Sequence, residues 1–344
     1  MTNLSLCSGA GTLDLAVEQI TGNKTLVCAE NDPHASKVME AHFPWAVNVG
    51  DITTADWAAI AAQWQIESVS AGFPCRNISN AGLRDGINGR WSSVWKNVAQ
   101  AVGVIRPRYV FLENVEALRS RGLNVVVEDL AAIGYGVRWT CLPARDIGAP
   151  HLRWRWLAVA YPAAQDPNVA AWRERWAAAP GQAQGRGARA DAGGRGGVPA
   201  ATEGTAGAGG VALLPTPAAR DWKSGASNLM DKNSRPLNEF AVNFLARRTD
   251  WVATNGVDYG PAIRQWEEIL GRPAPEPTEP GDRGNRRLST RFTEWMQGCD
   301  EGWVTGLDLG RKAELTILGN ICLTRQAVEG YRRLLCADLE AMAA

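Results

Sequence analysis

Leu4-Ser-Leu-Cys-Ser-Gly-Ala-Gly-Thr12 is the stretch that decides how this chain folds. Leu4–Cys7 is a short apolar strand, Ser8, Gly9, Ala10, Gly11 and Thr12 form a tight turn, and an amphipathic helix runs on to about Ile20. Two glycines at this spacing let a backbone approach a ligand, and the start of the helix offers N–H groups without partners. The next strand, Thr25–Ala29, ends in Glu30 and Asn31, at a distance that suits an acid binding ribose hydroxyls. A third, Ala46–Val49, runs into Gly50, Asp51 and Ile52, so a second carboxylate reaches the same edge. The turn lacks the third glycine of the dinucleotide fingerprint, which favours a single-nucleoside cofactor.

Working outward, the strand Ser68–Ala71 leads into Gly72-Phe-Pro-Cys-Arg-Asn-Ile-Ser79. A cysteine at the carboxyl end of a strand, on a turn stiffened by Pro74, is where an α/β enzyme exposes a nucleophile, although a lone Pro-Cys is more often a buried apolar pair. What raises Cys75 above that reading is the strand Tyr109–Leu112, which delivers Glu113 at the end of an expected neighbouring strand. Between them, residues 80–90 carry Gly82, Gly86 and Gly89 and read as a long mobile loop over the site, followed by a helix from about Ser92 to Ile105.

Composition limits the alternatives. The 344 residues have room for one large domain and a smaller one, and 45% hydrophobic with 21% charged residues is a soluble globular balance. The N-terminus lacks the features of a signal peptide and no long apolar run occurs, so a cytoplasmic protein is expected. Seven scattered cysteines without a Cys-x-x-Cys pair, and only three histidines, argue against a disulfide framework or a metal centre. Net charge is zero, so nucleic-acid binding has to come from local patches. Residues 151–200 hold seven arginines against three acids, which fits phosphate contact and a solvated surface equally well.

A helix over Val125–Ile133, a strand over Gly136–Leu142 and a strand over Trp156–Ala160 complete the first part, 1–164. Arg153 and Arg155, alternating on an extended entry, are expected to point the same way. Region 165–285 reads as smaller and irregular, with a short helix over Trp172–Ala179, a flexible insertion near 180–210, order returning at Leu213–Trp222, helices over Leu237–Arg248 and Pro261–Leu270, and an extended linker over Pro273–Pro280. Helices over Thr290–Gly298 and Gln326–Leu335 belong to a C-terminal part, 286–344.

The ordered series Gly9-x-Gly11, Gly72-Phe-Pro-Cys75, Glu113-Asn-Val115, Gly148-Ala-Pro-His-Leu-Arg-Trp-Arg155, Arg287-Leu-Ser-Thr-Arg291 with Met296-Gln-Gly298, and Gly319-Asn320 resembles the cytosine-C5 DNA methyltransferase family of the phage or bacterial type. These motifs frame almost the whole chain. The resemblance implies a Rossmann-like, S-adenosylmethionine-dependent methyltransferase sheet with a smaller, irregular target-recognition region, and a C-terminal segment that returns to the first domain. It also implies roles. Cys75 would add as a thiolate to C6 of a flipped-out cytosine, Glu113 would supply a proton to N3, and Arg155 and Arg153 would hold the base. Glu30 would bind the ribose, Asp51 and Ile52 the adenine, Ser8–Thr12 the methionine part, with Asn31, Val94 and Asn320 completing the pocket.

Double-stranded DNA is the implied partner, with Arg76, Arg220, Trp222 and Lys223 as contacts; a monomer is expected, and a cognate restriction nuclease is a conceivable companion. The alternatives are an RNA cytosine-C5 methyltransferase, for which 165–285 looks too long, and a divergent relative of low activity or acting on another base. A small-molecule Rossmann-like enzyme explains the first 60 residues but not the later motifs. Departures from the family pattern are Thr12 for Gly, Arg76 for Gln, Thr290 for Pro, and Gly319-Asn-Ile-Cys-Leu-Thr324 for Gly-Asn-x-Val-x-Pro.

Overall fold

The computed structural model describes residues 1–74, 93–163, 211–223, 236–243, 245, 251–281 and 284–342. Cys75, Arg76, the expected loop over 80–90, the helix over 172–179 and the insertion near 180–210 lie outside them. The chain forms two compact units: Met1–Leu142, Trp154–Ala190 and Thr324–Ala344 make the first, and Pro143–Arg153 with Asp191–Leu323 the second.

The first unit is built on seven strands: β1 (Thr2–Leu6), β2 (Lys24–Ala29), β3 (Val47–Asn48), β4 (Ile66–Gly72), β5 (Tyr109–Val115), β6 (Tyr135–Pro143) and β7 (Trp154–Pro162). Their order is β3-β2-β1-β4-β5-β7-β6. The pairs from β3 through β5 are parallel, whereas β7 runs antiparallel to β5. Strand order reverses between β1 and β4, and in an open α/β sheet that switch point is where loops diverge and leave a crevice. The glycine turn follows β1 and Phe73-Pro74 follows β4, which ends at Gly72, so both motifs open at this switch.

Local sequence explains the connecting helices. Helix α1 (Thr12–Thr21) starts from Gly11 and ends on Gly22, both left-handed, at φ 73° and 71°. A Cβ on Gly11 would drive into the Phe43 ring. Helix α2 (Pro33–His42) has proline in its first turn and is capped by Asp32, which accepts from the N–H groups of His34 and Ala35. Helix α3 (Trp57–Gln63), which sequence reading did not anticipate, is capped by Asp56. Helices α4 (Ser93–Ile105), α5 (Leu118–Arg121) and α6 (Leu123–Ala132) follow. The core is mostly aliphatic, with Leu4, Leu6, Val27, Val69, Val98, Val110, Leu112, Val126 and Ala158 buried alongside aromatic residues such as Trp95 and Trp156.

The second unit has little sheet. It holds α7 (Leu237–Asn243), α8 (Gly260–Leu270), β8 (Thr278–Pro280), β9 (Arg286–Leu288), α9 (Thr290–Met296) and α10 (Arg311–Asn320). The expected linker over 273–280 is extended, but its end pairs antiparallel with β9. The core here is aromatic: Trp251, Phe292 and Trp295 stack in series, and the Trp266 indole N–H donates to the Trp295 carbonyl at 2.9 Å. Ser289 caps α9, so Thr290 occupies the first helical position, the one place in a helix where proline is favoured.

The last helix, α11 (Thr324–Met342), belongs to the first unit. The Thr324 hydroxyl donates to the Thr12 carbonyl at 2.9 Å, Gln326 to the Leu142 carbonyl at 2.7 Å, and Tyr331 to the Leu112 carbonyl at 3.1 Å. Gly330 lies so close to Leu157 that no Cβ fits between them. The return to the first unit therefore begins at Thr324, whereas Gly319 and Asn320 close α10 in the second unit.

Candidate active site

Glu113 and Arg155 lie on the paired strands β5 and β7 of the first unit. Glu113 on β5 is registered with Gly72 on β4 and with Leu157 on β7, and both it and Arg155 are buried. Arg155 Nε lies 2.6 Å from Glu113 Oε1. The other carboxylate oxygen, Oε2, stands 3.5 Å from where a Cβ on Gly72 would be, an ordinary contact distance that sets the acid directly beside this glycine. Asn114 donates its side-chain N–H to the Phe73 carbonyl at 3.1 Å, which ties the end of β5 to the segment entering Pro74. Glu-Asn-Val thus places an acid and, one residue on, a clamp on the neighbouring turn. The expected adjacency of the Glu113 strand and the Phe-Pro strand is what the sheet has.

Several residues expected on the cofactor side also come together. Glu30 Oε2 accepts from Gly9 N–H and Oε1 from Asp32 N–H, each at 2.8 Å, so this carboxylate shapes the glycine turn from across β2. Burial pushes its pKa above the ordinary carboxylate range, opposed by these N–H groups. Asp51 accepts from the Asn31 side chain at 2.9 Å and from Thr53 N–H at 2.8 Å, and the Thr53 hydrogen bonds hold it below that range. Cys7, with φ 55°, sits between: burial pushes its thiol up to about 12, with Glu30 and Asp51 adding to the effect, so it stays neutral. Ile52 is buried, and half-buried Val94 packs on the core at the start of α4.

The family model for C-5 cytosine-specific DNA methylase matches residues 1–320. The chain belongs to that family. Among curated relatives, the Type II methyltransferase M.NlaIV of Neisseria lactamica is 32% identical over 168 residues, 44% of this chain and 39% of that protein. M.CviJI of Paramecium bursaria Chlorella virus IL3A is 38% identical over 96 residues, 28% of this chain and 26% of that protein. The chain spans about two fifths of the length of the first relatives it matches. Among solved structures, the Entamoeba histolytica methyltransferase EhMeth superposes with a TM-score of 0.56 at 15% identity, covering 98% of each chain. Spodoptera frugiperda DNMT2 gives 0.56 at 13%, covering 97% of this chain and 99% of that one. At such identities the likeness is one of fold.

Family membership accounts for the motif order, and the second unit departs from the simplest reading of it. Arg153 precedes β7 with φ 29°, so strand alternation does not extend to it, and the expectation that it points with Arg155 fails for that reason. Its guanidinium donates to the carbonyls of Pro217 and Gly319, each at 3.0 Å, and of Ile321. Gly319 touches the backbone of Ala218 and Ala219 so closely that a side chain is excluded. Asn320 is exposed at the end of α10.

Arg220 and Lys223 are exposed, and Trp222 is half-buried with its carbonyl accepting from Arg311 at 3.1 Å. Lys312 stands 4.8 Å from the centre of the Trp222 ring and Lys223 5.8 Å. Lys312 is a member of this basic cluster that sequence reading missed, since it joins from a helix about ninety residues further on. Asp14 was missed too, although its place on the buried stripe of α1, beside Leu13, Ala16 and Val17, was a visible signal.

Proposed function

We propose that this chain transfers a methyl group from S-adenosylmethionine to C5 of a cytosine flipped out of a specific DNA sequence, through a covalent bond between Cys75 and C6. The observation that carries this reading is the buried Arg155–Glu113 pair beside Gly72, three residues before Cys75. C5 of cytosine is a poor nucleophile. Addition of the Cys75 thiolate to C6 turns the ring into an enamine, and Glu113 supplies the proton or hydrogen bond that N3 needs as charge builds there. Arg155 keeps Glu113 oriented and holds the base. Loss of the C5 proton and expulsion of Cys75 from C6 then restore the aromatic ring and the free thiol.

The residues present fit the donor. Helix α1 begins without a side-chain cap, leaving first-turn N–H groups to meet a carboxylate, and Gly9 and Gly11 have left-handed φ that side chains rarely adopt. Glu30 has lone pairs beyond those used by Gly9 and Asp32 and suits ribose hydroxyls; Asp51, Asn31 and Ile52 suit the adenine, and Val94 its apolar face. S-adenosylmethionine, when bound, supplies an electrophilic methyl on a sulfonium. Arg76 and the cluster of Arg220, Trp222, Lys223 and Lys312 contact DNA, while Arg153 acts as a positioning residue within the second unit.

Duplex DNA with 5-fluorocytosine at the target tests this directly, because fluorine cannot leave as a proton does. The wild-type chain with the donor should be trapped as a covalent complex, and Cys75→Ala should abolish it. A stable adduct in that variant would sink the assignment.

A further inference from the structure

The parallel strands of the first unit carry a polar stripe where aliphatic residues are the rule. Period-two alternation puts Asn3 and Ser5 on one face of β1, and Ser68 and Ser70 on one face of β4, all buried. They form a chain of hydrogen bonds. Asn23 Nδ2 donates to Ser68 Oγ at 3.0 Å, Ser68 Oγ to Asn3 Oδ1 at 2.9 Å, and Asn3 Nδ2 to Ser70 Oγ at 2.9 Å and Thr25 Oγ1 at 3.2 Å. Ser70 donates to Asp14 Oδ1. Ser5 Oγ lies 2.8 Å from Asp14 Oδ2 and 2.7 Å from Ser8 Oγ, where the chain reaches the glycine turn.

We infer that Asp14 is a positioning residue that takes up a proton as the methyl donor binds, turning the Ser5–Ser8 hydroxyl pair so that Ser8 donates towards the donor's carboxylate. This assignment rests on Ser8–Thr12 being the cofactor turn. Ser5 has one hydroxyl proton and two neighbours that can accept it. With Asp14 ionised, Ser5 donates to Asp14, Ser8 donates back to Ser5, and Ser8 offers a ligand only lone pairs. With Asp14 protonated, Asp14 donates to Ser5, Ser5 donates to Ser8, and the Ser8 proton is released for the turn. The far end of the chain cannot reverse in the same way, because the Asn3 amide N–H occupies Ser70 and directs the Ser70 proton onto Oδ1. The added proton therefore belongs on Oδ2, the Ser5 side.

Both states are within reach near neutral pH. Burial pushes the Asp14 carboxyl up to about 7 against the lowering effect of Ser70 and Ser5, and Glu18 on the same helix adds to the rise. From β2 the nearby titratable group is the Cys28 thiol, itself pushed up to about 12 by burial and neutral. β1 contributes Ser5, the residue just after it the neutral thiol of Cys7, and β4 contributes Ser70. Of the described charges of α11, Arg325, Arg332 and Arg333 are exposed, and Glu329 pairs with Arg333. A carboxylate arriving at the start of α1 adds a negative charge close to Asp14, which is in the first turn. That pushes its pKa higher still, in the same direction as the hydroxyl relay. The proton comes from solvent, so donor affinity falls as pH rises through about 7.

Titration calorimetry of the full chain with S-adenosylhomocysteine tests this. Wild-type affinity should fall by up to about tenfold per pH unit above neutrality, and Asp14→Asn, whose amide donates to Ser5 at every pH, should lack that slope. Heats measured near pH 7 in buffers of different ionisation enthalpy should reveal uptake of a sizeable fraction of one proton by the wild type. Equal slopes in the two proteins, or no uptake by the wild type, would overturn the role of Asp14; the second measurement stands even where the variant does not fold. Ser8→Ala separates the two levels. If it weakens binding while the slopes are equal, only Asp14 is misassigned, and if it leaves affinity untouched at every pH, the cofactor turn is misassigned as well.

Discussion

The two units solve the same problem, satisfying buried backbone, in opposite ways. In the first, the ladders of a mostly parallel sheet pair the main chain, and the buried carboxylates of Glu113 and Asp14 meet the side chains of Arg155, Ser5 and Ser70. In the second, whose described residues hold a ribbon of two three-residue strands and two isolated bridges, charged side chains do the work of a ladder. Glu294 accepts from the N–H groups of Gly302, Val304 and Thr305 and from the Thr305 hydroxyl. Arg153 serves three carbonyls, and Arg311 serves those of Trp222 and Leu288. A buried charge therefore means different things on the two sides: near a sheet edge it is a candidate for reaction, and in an irregular unit it is a fastener.

The largest effect that tests this contrast is on catalysis. Glu113→Gln should keep donor binding and lose methyl transfer by roughly 10²–10⁴, measured with labelled donor and DNA; full activity in that variant would break the contrast at once. Next in size is Glu294→Ala, which leaves several buried N–H groups unpaired and should lower unfolding free energy by about 3–5 kcal/mol in urea titration. Ser68→Ala, in the ladder-supported unit, leaves one amide N–H of Asn23 and the side-chain oxygen of Asn3 without this partner and should lower it by about 2 kcal/mol, and equal losses would erase the distinction. Gly330→Ala forces a methyl group against Leu157 and should destabilise by about 1–3 kcal/mol without changing the fluorocytosine adduct. The smallest effect concerns Lys312, where Lys312→Gln should flatten the salt dependence of DNA affinity by about one unit of slope. An unchanged slope would remove Lys312 from the DNA surface.

Much of the first unit was legible because its signals are local. Strand ends and a glycine turn are written within a few residues, and the alternation of strands and helices agrees with the α/β sheet that forms. Glu113 beside Gly72 followed from two strand ends and an assumption of adjacency that the register bears out. Strand order was not legible: β7 inserts antiparallel between β5 and β6, which depends on how crossovers pack and leaves no mark in the pattern of either strand. Arg153 was misread because one left-handed residue ends an alternation that sequence alone continues. Lys312 and Trp222 meet across about ninety positions, and no local pattern encodes such a pair.

The bond from Thr324 to Thr12 spans 312 positions and joins two of the residues that depart from the family pattern. Because closing a long loop grows costlier only logarithmically, such separation weakens the finished protein little, and its effect falls on timing. During synthesis the strands, the glycine turn and Glu113 all emerge before residues 324–342, and until then the carbonyls of Thr12, Leu142 and Leu112 lack the side chains that will meet them. A nascent chain thus carries these residues without their brace. Emergence of residues 324–342 supplies it, so α11 can brace the first unit only after the second has been made.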